Sequence, residues 1–215
     1  MEAKYWISAW DEGRTGFHRG AFNERLLNNF SAFNPQKGQS ILVPLCGKTK
    51  DLLWLGGQGL KVHGVELYEK AVQEFFSDNN LSFNKDQDQH FTNYTHENIL
   101  LSAGDFFKLS EGKTYDFIYD RAALVALPES MRRDYANVIK RSLKKGGKCL
   151  LVVYEYDQSR MSGPPFSIDL NEIRSLYEDQ FSIKLLETAT PDREGPKFST
   201  LDFLKENVYV LEKIR

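Results

Sequence analysis

The sequence predicts an α/β domain with a mostly parallel seven-stranded sheet, helices on both faces and an antiparallel pair at one edge. Three observations carry that prediction. Short strand-like runs lie at Ile41–Leu45, Lys61–Glu66, Ile99–Ala103, Tyr115–Tyr119 and Cys149–Tyr154, the length and composition of buried strands. Helical periodicities separate most of them, the alternation of a parallel sheet with crossover helices. The last two runs, Phe181–Glu187 and Leu204–Lys213, have only the loop 188–203 between them. A pair without a crossover helix is an antiparallel hairpin.

Residues 1–19 mix Trp6, Trp10, Phe17 and His18 with Gly13, Gly16 and charged side chains. Helical spacing of Phe22, Leu26, Leu27 and Phe30 predicts a helix over 21–33, ended by the turn at Asn34-Pro35. A short helix over 50–57 joins the first two strands, and Tyr68, Ala71, Val72, Phe75 and Phe76 predict another over 68–78. The polar stretch 82–97 reads as a surface hairpin or loop. Residues 131–143 are helical, with Gly146-Gly147 expected as the C-terminal cap. Ser162-Gly-Pro-Pro165 is a rigid loop, and 167–177 is a helix with Asp169 near its start. With no repeat, low-complexity tract or linker, 1–215 is expected to be a single domain.

The chemistry is concentrated in the first βαβ unit. The first strand ends in a turn at Cys46-Gly47, and the second ends in Glu66, nineteen residues after Gly47. Ligands of open α/β sheets bind outside the carboxyl ends of the strands, and an acid at the end of the second strand can accept from both hydroxyls of a ribose. The turn, Pro44-Leu-Cys-Gly47-Lys-Thr-Lys50, has one glycine. A pyrophosphate needs several close backbone N–H groups and therefore several glycines, so a dinucleotide is disfavoured. A P-loop is excluded because Leu42 stands where its first glycine belongs. S-adenosylmethionine has no phosphate, and one backbone turn at Gly47 suffices for its amino-acid tail. Asp105 and Phe106, after the third strand, stand where an adenine would lie, one to accept from its exocyclic amine and one to pack on its face. Asp120-Arg121 ends the fourth strand at the same edge. Five parallel strands closed by an antiparallel pair is the order of a Rossmann-like class I S-adenosylmethionine-dependent methyltransferase rather than of a dehydrogenase.

Composition narrows the partners. Net charge is −2 with no basic tract, which disfavours nucleic acid. The start of the chain lacks the pattern of a signal peptide and no apolar run approaches a membrane span, so a cytoplasmic location with no membrane partner is expected. Two cysteines, Cys46 and Cys149, fall in or beside strands, which argues against disulfides, and no metal site is expected. The four histidines are scattered; His18, beside Phe17, is the one placed to take part. Methyl transfer to a thiolate needs little acid–base help, chiefly positioning and desolvation, and no general base is assigned. No heptad or apolar stripe suggests assembly, so a monomer is the default.

The segments Trp10-x2-Gly13-Arg-Thr-Gly-Phe17-His18, Val43-Pro-Leu-Cys-Gly-Lys48, Val65-Glu-Leu67, Gly104-Asp-Phe-Phe107, Tyr119-Asp-Arg-Ala-Ala-Leu-Val-Ala-Leu127 and Gly163-Pro-Pro-Phe166 resemble the thiopurine S-methyltransferase family in its short bacterial form, over about residues 4–213. The resemblance implies S-adenosylmethionine as donor, S-adenosylhomocysteine as product and a small aromatic or heterocyclic thiol as acceptor. It implies Trp10, Leu45, Gly47, Glu66, Asp105, Phe106 and Arg121 as cofactor-side residues and Phe17, His18, Pro164 and Arg193 as acceptor-side residues. Arg121 would also orient the anionic sulfur, since a guanidinium can donate to it in a desolvated site. Residues 1–33 would form an N-terminal lid over the cofactor. Selenium and tellurium compounds are further acceptors linked to bacterial members. The alternatives are an O- or N-methyltransferase on the same fold, which would want a base near the methyl, and a non-catalytic S-adenosylmethionine-binding protein.

Overall fold

The computed structural model describes residues 3–16, 18, 20–191 and 198–215. The described chain folds around one sheet of nine strands: β1 (Ser40–Pro44), β2 (Lys61–Glu66), β3 (Asn84–Gln87), β4 (Thr92–His96), β5 (Ile99–Ala103), β6 (Tyr115–Arg121), β7 (Leu143–Glu155), β8 (Phe181–Ala189) and β9 (Lys205–Lys213). Their spatial order is β3-β4-β5-β2-β1-β6-β7-β9-β8. The five central strands, β5-β2-β1-β6-β7, are parallel. At one edge β9 runs antiparallel to β7 and β8 antiparallel to β9, as the missing crossover helix requires.

The sequence count of seven strands is short by two. Residues 82–97 form the hairpin β3-β4, and β4 pairs antiparallel with β5, extending the sheet. All four residues of β3 are exposed, so no apolar alternation marks it; only backbone pairing makes it a strand. Helix 21–33 is also shorter than expected. It is α2 (Glu24–Asn29) followed by a 3₁₀ turn, Phe30–Phe33, and Asn23 caps it by accepting from the N–H groups of Arg25 and Leu26.

The other helices are α1 (Ala3–Asp11), α3 (Asp51–Gly57), α4 (Glu69–Asp78), α5 (Glu129–Ser142) and α6 (Leu170–Tyr177). Asp169 caps α6 through the N–H of Glu172, 2.8 Å away. Gly146-Gly147 does not cap α5. The helix ends at Ser142 and the chain enters β7 at once. Leu143 pairs with Tyr115 and Lys148 with Phe117, so the glycines sit in a bulge between these two registers. Gly146 has φ +76, and a Cβ on Gly147 would lie 2.8 Å from the carbonyl oxygens of Asp116 and Lys144. The requirement for glycine is real; it serves a strand, not a helix.

Alternation along the strands divides the core between the two faces. Leu42, Ile118, Leu151 and Val153 pack with Tyr135 and Ile139 of α5 and Leu176 and Tyr177 of α6. Ile41, Val43, Phe117, Tyr119, Leu150 and Val152 pack on the opposite face with Leu26 of α2, Leu52 and Leu55 of α3 and Phe75 and Phe76 of α4. Two covered faces leave the strand ends as the place for a ligand.

Candidate active site

The carboxyl ends of the parallel strands open into a cavity of about 830 Å³, within the usual range for small-molecule sites. Its floor is built strand by strand: Leu45 and Gly47 after β1, Glu66 at the end of β2, Asp105 and Phe106 after β5, Arg121 at the end of β6 and Tyr154 near the end of β7. Tyr5, Trp6 and Trp10 of α1 form a wall, with Pro164, Pro165 and Phe198 opposing. Trp10, His18, Leu45, Gly47, Glu66, Asp105, Phe106, Arg121 and Pro164, all singled out from sequence, line this one cavity. Phe17 and Arg193 lie outside the described residues.

Glu66 is the most constrained of these groups. It is 7 % exposed. The N–H of Gly47 donates to its Oε2 and the N–H of Tyr68 to its Oε1, both at 2.8 Å. Burial raises its carboxyl above the ordinary range, and the backbone N–H groups pull it back. The first bond depends on the turn. Cys46 extends the β1–β2 ladder through the carbonyl of Val65. Gly47 then takes φ +54, with the ideal Cβ position 3.1 Å from Cζ2 of Trp10. Each carboxylate oxygen thus accepts from backbone and keeps further acceptor capacity, and Glu66 lines the cavity. The Lys48 ammonium, by contrast, is paired with Glu74 and Asp78 at 2.7 and 2.9 Å. A fixed buried carboxylate beside a one-glycine turn, with the adjacent lysine ion-paired, fits an adenosyl cofactor that ends in an amino acid rather than a phosphate.

Helix α1 is fastened across this site by aromatic and polar contacts. The Trp10 and Tyr68 rings stack with centroids 6.3 Å apart and planes 20° apart, and the Tyr68 hydroxyl donates to Asp11. That bond pushes the Tyr68 phenol up to about 12. His18 lies 6.4 Å from the Trp10 ring. Burial first, then the charges of Lys48 and Arg121, holds its imidazole below the ordinary value, hence neutral at neutral pH. The Cys46 thiol is pushed well up, by burial first and by the nearby Glu66 second, so it is not a nucleophile.

Asp105 and Phe106 flank the end of β5. Asp105 Oδ1 accepts from the N–H of Phe107 at 2.9 Å, capping a 3₁₀ turn. Phe106 packs on Tyr135 at 5.3 Å between ring centroids. On β6, Asp120 and Arg121 divide the work. Asp120 is buried; its Oδ1 accepts from the Leu124 N–H at 3.2 Å and its Oδ2 from the Tyr135 hydroxyl at 2.8 Å. Burial raises its carboxyl to about 6. These bonds hold the sharp turn in which Ala122 has φ +61, beside Arg121. Leu45, at the end of neighbouring β1, has φ +46. Two non-glycine residues in the left-handed region on adjacent strand ends mark strained backbone at the site, and nothing in their identity announces it. The Pro164–Pro165 loop is pinned by the Tyr156 hydroxyl donating to Pro165 O and by the Phe166 N–H donating to Val125 O, both at 2.7 Å.

Sequence reasoning missed the polar groups on the side of the cavity away from Glu66. Asp51, Tyr119, Tyr154 and Glu206 line it. Asp51 Oδ1 accepts from the Asn23 N–H at 2.8 Å and its Oδ2 from the Tyr119 hydroxyl at 3.1 Å. Asp51 had the look of an ordinary first-turn acid, and Glu206 of an edge-strand acid; only alternation along the final strand hinted that Glu206 faces inward.

No helix among the described residues is long and apolar enough to cross a membrane, and no cluster of metal-ligating side chains is found among them. Among solved structures the fold is similar to the Burkholderia thailandensis 1,6-didemethyltoxoflavin-N1-methyltransferase with bound 1,6-didemethyltoxoflavin and S-adenosylhomocysteine (TM-score 0.69, 16% identity, 99% of this chain and 87% of that one). It is also similar to phosphoethanolamine N-methyltransferase 2 of Haemonchus contortus in complex with S-adenosyl-L-methionine (TM-score 0.67, 17% identity, 98% of this chain and 56% of that one). At such identities the likeness is one of fold. Sequence is more specific. A thiopurine S-methyltransferase of Azotobacter vinelandii is 42% identical over 217 residues, spanning 99% of this chain and 100% of the relative. The thiopurine S-methyltransferase (TPMT) family pattern matches residues 1–214. With the one-glycine turn, the fixed Glu66 and end-to-end similarity in agreement, the chain belongs to the thiopurine S-methyltransferase family.

Proposed function

We propose that this protein transfers the methyl group of S-adenosylmethionine to the sulfur of a small aromatic or heterocyclic thiol, thiopurines included. The observation that carries the reading is Glu66: a buried carboxylate fixed by two backbone N–H groups, at the carboxyl end of β2, opening on a cavity large enough for a cofactor and an acceptor. Glu66 holds the ribose hydroxyls, the turn at Leu45–Gly47 the amino-acid tail, and Trp10 covers them. Asp105 Oδ2 and Phe106 serve the adenine side. When bound, the cofactor supplies an electrophilic sulfonium methyl. The chain's part is to position the acceptor and exclude water. The apolar surfaces of Trp6, Val125 and Val152 desolvate the sulfur, and Arg121 orients its negative charge. His18 and Pro164 bound the acceptor space, and Phe17 and Arg193 are assigned to it on family grounds. The same pocket suits other soft nucleophiles, selenium and tellurium compounds among them. A monomeric protein in a reducing cytoplasm, without nucleic-acid partners, agrees with two buried unpaired cysteines and a net charge of −2.

The test is radiolabelled methyl transfer with 6-mercaptopurine, thiophenol, selenite, tellurite and a catechol. Transfer to sulfur acceptors is expected. Transfer to the catechol alone would move the protein to oxygen chemistry, and tight cofactor binding without any transfer would favour a non-catalytic role.

A further inference from the structure

The far end of the cavity carries a carboxylate the sequence reading did not use. Val152 pairs with Arg121 and with Val208, and Tyr154 pairs with Glu206. With a period of two along each strand, Arg121, Val152, Tyr154 and Glu206 therefore share one face of the sheet, the face covered by α2 and α3. β6 and β9 are two strands apart, about 10 Å between axes, a gap that two long side chains can close from opposite sides of one planar ring.

Glu206 is 8 % exposed and lines the cavity. One oxygen is anchored: Arg25 Nε donates to Oε2 at 3.1 Å. Arg25 is shared, since its Nη1 also donates to Glu187. With Glu24 also 3.7 Å from its Nη2, one guanidinium among three carboxylates leaves a net negative cluster behind Glu206. Oε1 takes part in none of the hydrogen bonds described at this residue. Asp51 differs in having both oxygens engaged, by Asn23 N–H and the Tyr119 hydroxyl. At the acceptor end Glu206 is thus the carboxylate with one whole oxygen outside the described hydrogen bonds, in surroundings where an N–H donor gains most from a charged partner.

We propose that Glu206 accepts the ring N–H of a heterocyclic thione and takes its proton as the sulfur is methylated. This rests on the thiol-methyltransferase reading above and deepens it. The balance is simple. The N–H pair becomes the C=N bond, the C=S π electrons form the new S–CH₃ bond, the methyl leaves its sulfonium sulfur as a neutral thioether, and the proton passes to Glu206 Oε1. Arg121 on the sulfur and Glu206 on the nitrogen select the N–H tautomer. An aryl thiolate, already anionic and without a ring N–H, has no use for Glu206.

The experiment compares 2-thiopyridone with thiophenol at a pH where thiophenol is ionised. Glu206→Gln is expected to lower kcat/KM for 2-thiopyridone at least about 100-fold more than for thiophenol, the scale of a lost general base. Glu187→Gln, which disturbs the same ion cluster behind Glu206, is expected to leave the ratio of the two substrates where it is. If Glu206→Gln does not fold, the wild type decides: a normal solvent deuterium isotope effect on kcat/KM with 2-thiopyridone and none with thiophenol is expected. Equal losses on both substrates, the same selectivity change in Glu187→Gln, or matching isotope effects would overturn the proposal. Wild-type transfer to thiophenol but not to 2-thiopyridone would overturn it while leaving S-methyl transfer standing. Transfer to neither thiol would overturn the functional reading itself.

Discussion

Glu66 serves the backbone around it and one proposed ligand. Glu66→Ala removes the acceptor for the N–H groups of Gly47 and Tyr68 together with the ribose contact. S-adenosylhomocysteine binding is expected to weaken by roughly 1–3 kcal/mol by calorimetry; unchanged affinity would remove Glu66 from the site. Arg121→Ala is expected to depress turnover of a thiol more than cofactor affinity, and the reverse pattern would assign the guanidinium to the cofactor. Asp120 has its own signature. Its folded carboxyl, at about 6 against an ordinary 3.8, keeps a proton that the unfolded chain has released. Its contribution to stability is complete below about pH 4 and lost as pH rises through about 6, roughly 3 kcal/mol in all. His63 has the opposite sense. Burial lowers its imidazole to about 3, so its contribution is present above about pH 6.5 and lost as pH falls. Urea midpoints between about pH 4 and 7 for wild type and Asp120→Asn isolate the first effect: the difference between them is expected to change across that window, and a constant difference would contradict the raised carboxyl. Glu66 and Arg121 were legible in sequence because each is the last residue of a strand. The burial of His63 was not, since its partners Tyr115 and Ser102 come from other strands.

At the scale of elements, α1 is tied over the end of β2 by contacts that include the Trp10–Tyr68 stack and the bond from Tyr68 to Asp11. Tyr68→Phe keeps the stack and deletes the bond. Faster amide exchange in residues 3–11 and a few-fold faster release of S-adenosylhomocysteine are expected; unchanged exchange would show that the bond to Asp11 does not hold the helix. Elements with strong apolar periodicity were placed within a few residues. α4, with Ala71, Val72, Phe75 and Phe76 on one buried face, differs from its predicted 68–78 by a single residue at its start. β3 carried no such pattern, because an edge strand with four exposed side chains is specified by backbone hydrogen bonds to β4. The glycine pair 146–147 misled for a related reason. A glycine signals an unusual backbone conformation, but whether that belongs to a helix end or a strand bulge is decided by the neighbour, here β6.

For the molecule as a whole, exposed large apolar side chains such as Phe22, Phe83, Leu185 and Ile214 come from separate stretches of the chain. Sedimentation is expected at the mass of one chain with and without S-adenosylhomocysteine; a stable dimer would require an interface not evident from these residues. The sequence by itself determined the α/β class, the one-glycine turn, the acid that ends β2 and the family, because periodicity, turn chemistry and short spacings are properties of neighbouring residues. Only the tertiary structure decided that β9 lies between β7 and β8, that Glu206 thereby faces the same cavity as Arg121, and that Asp51 binds Tyr119. Those pairings join separate stretches of chain, Asp51 and Tyr119 being 68 positions apart and β9 reaching back to the earlier strand β7, and their energy exists only once the sheet has brought the strands together.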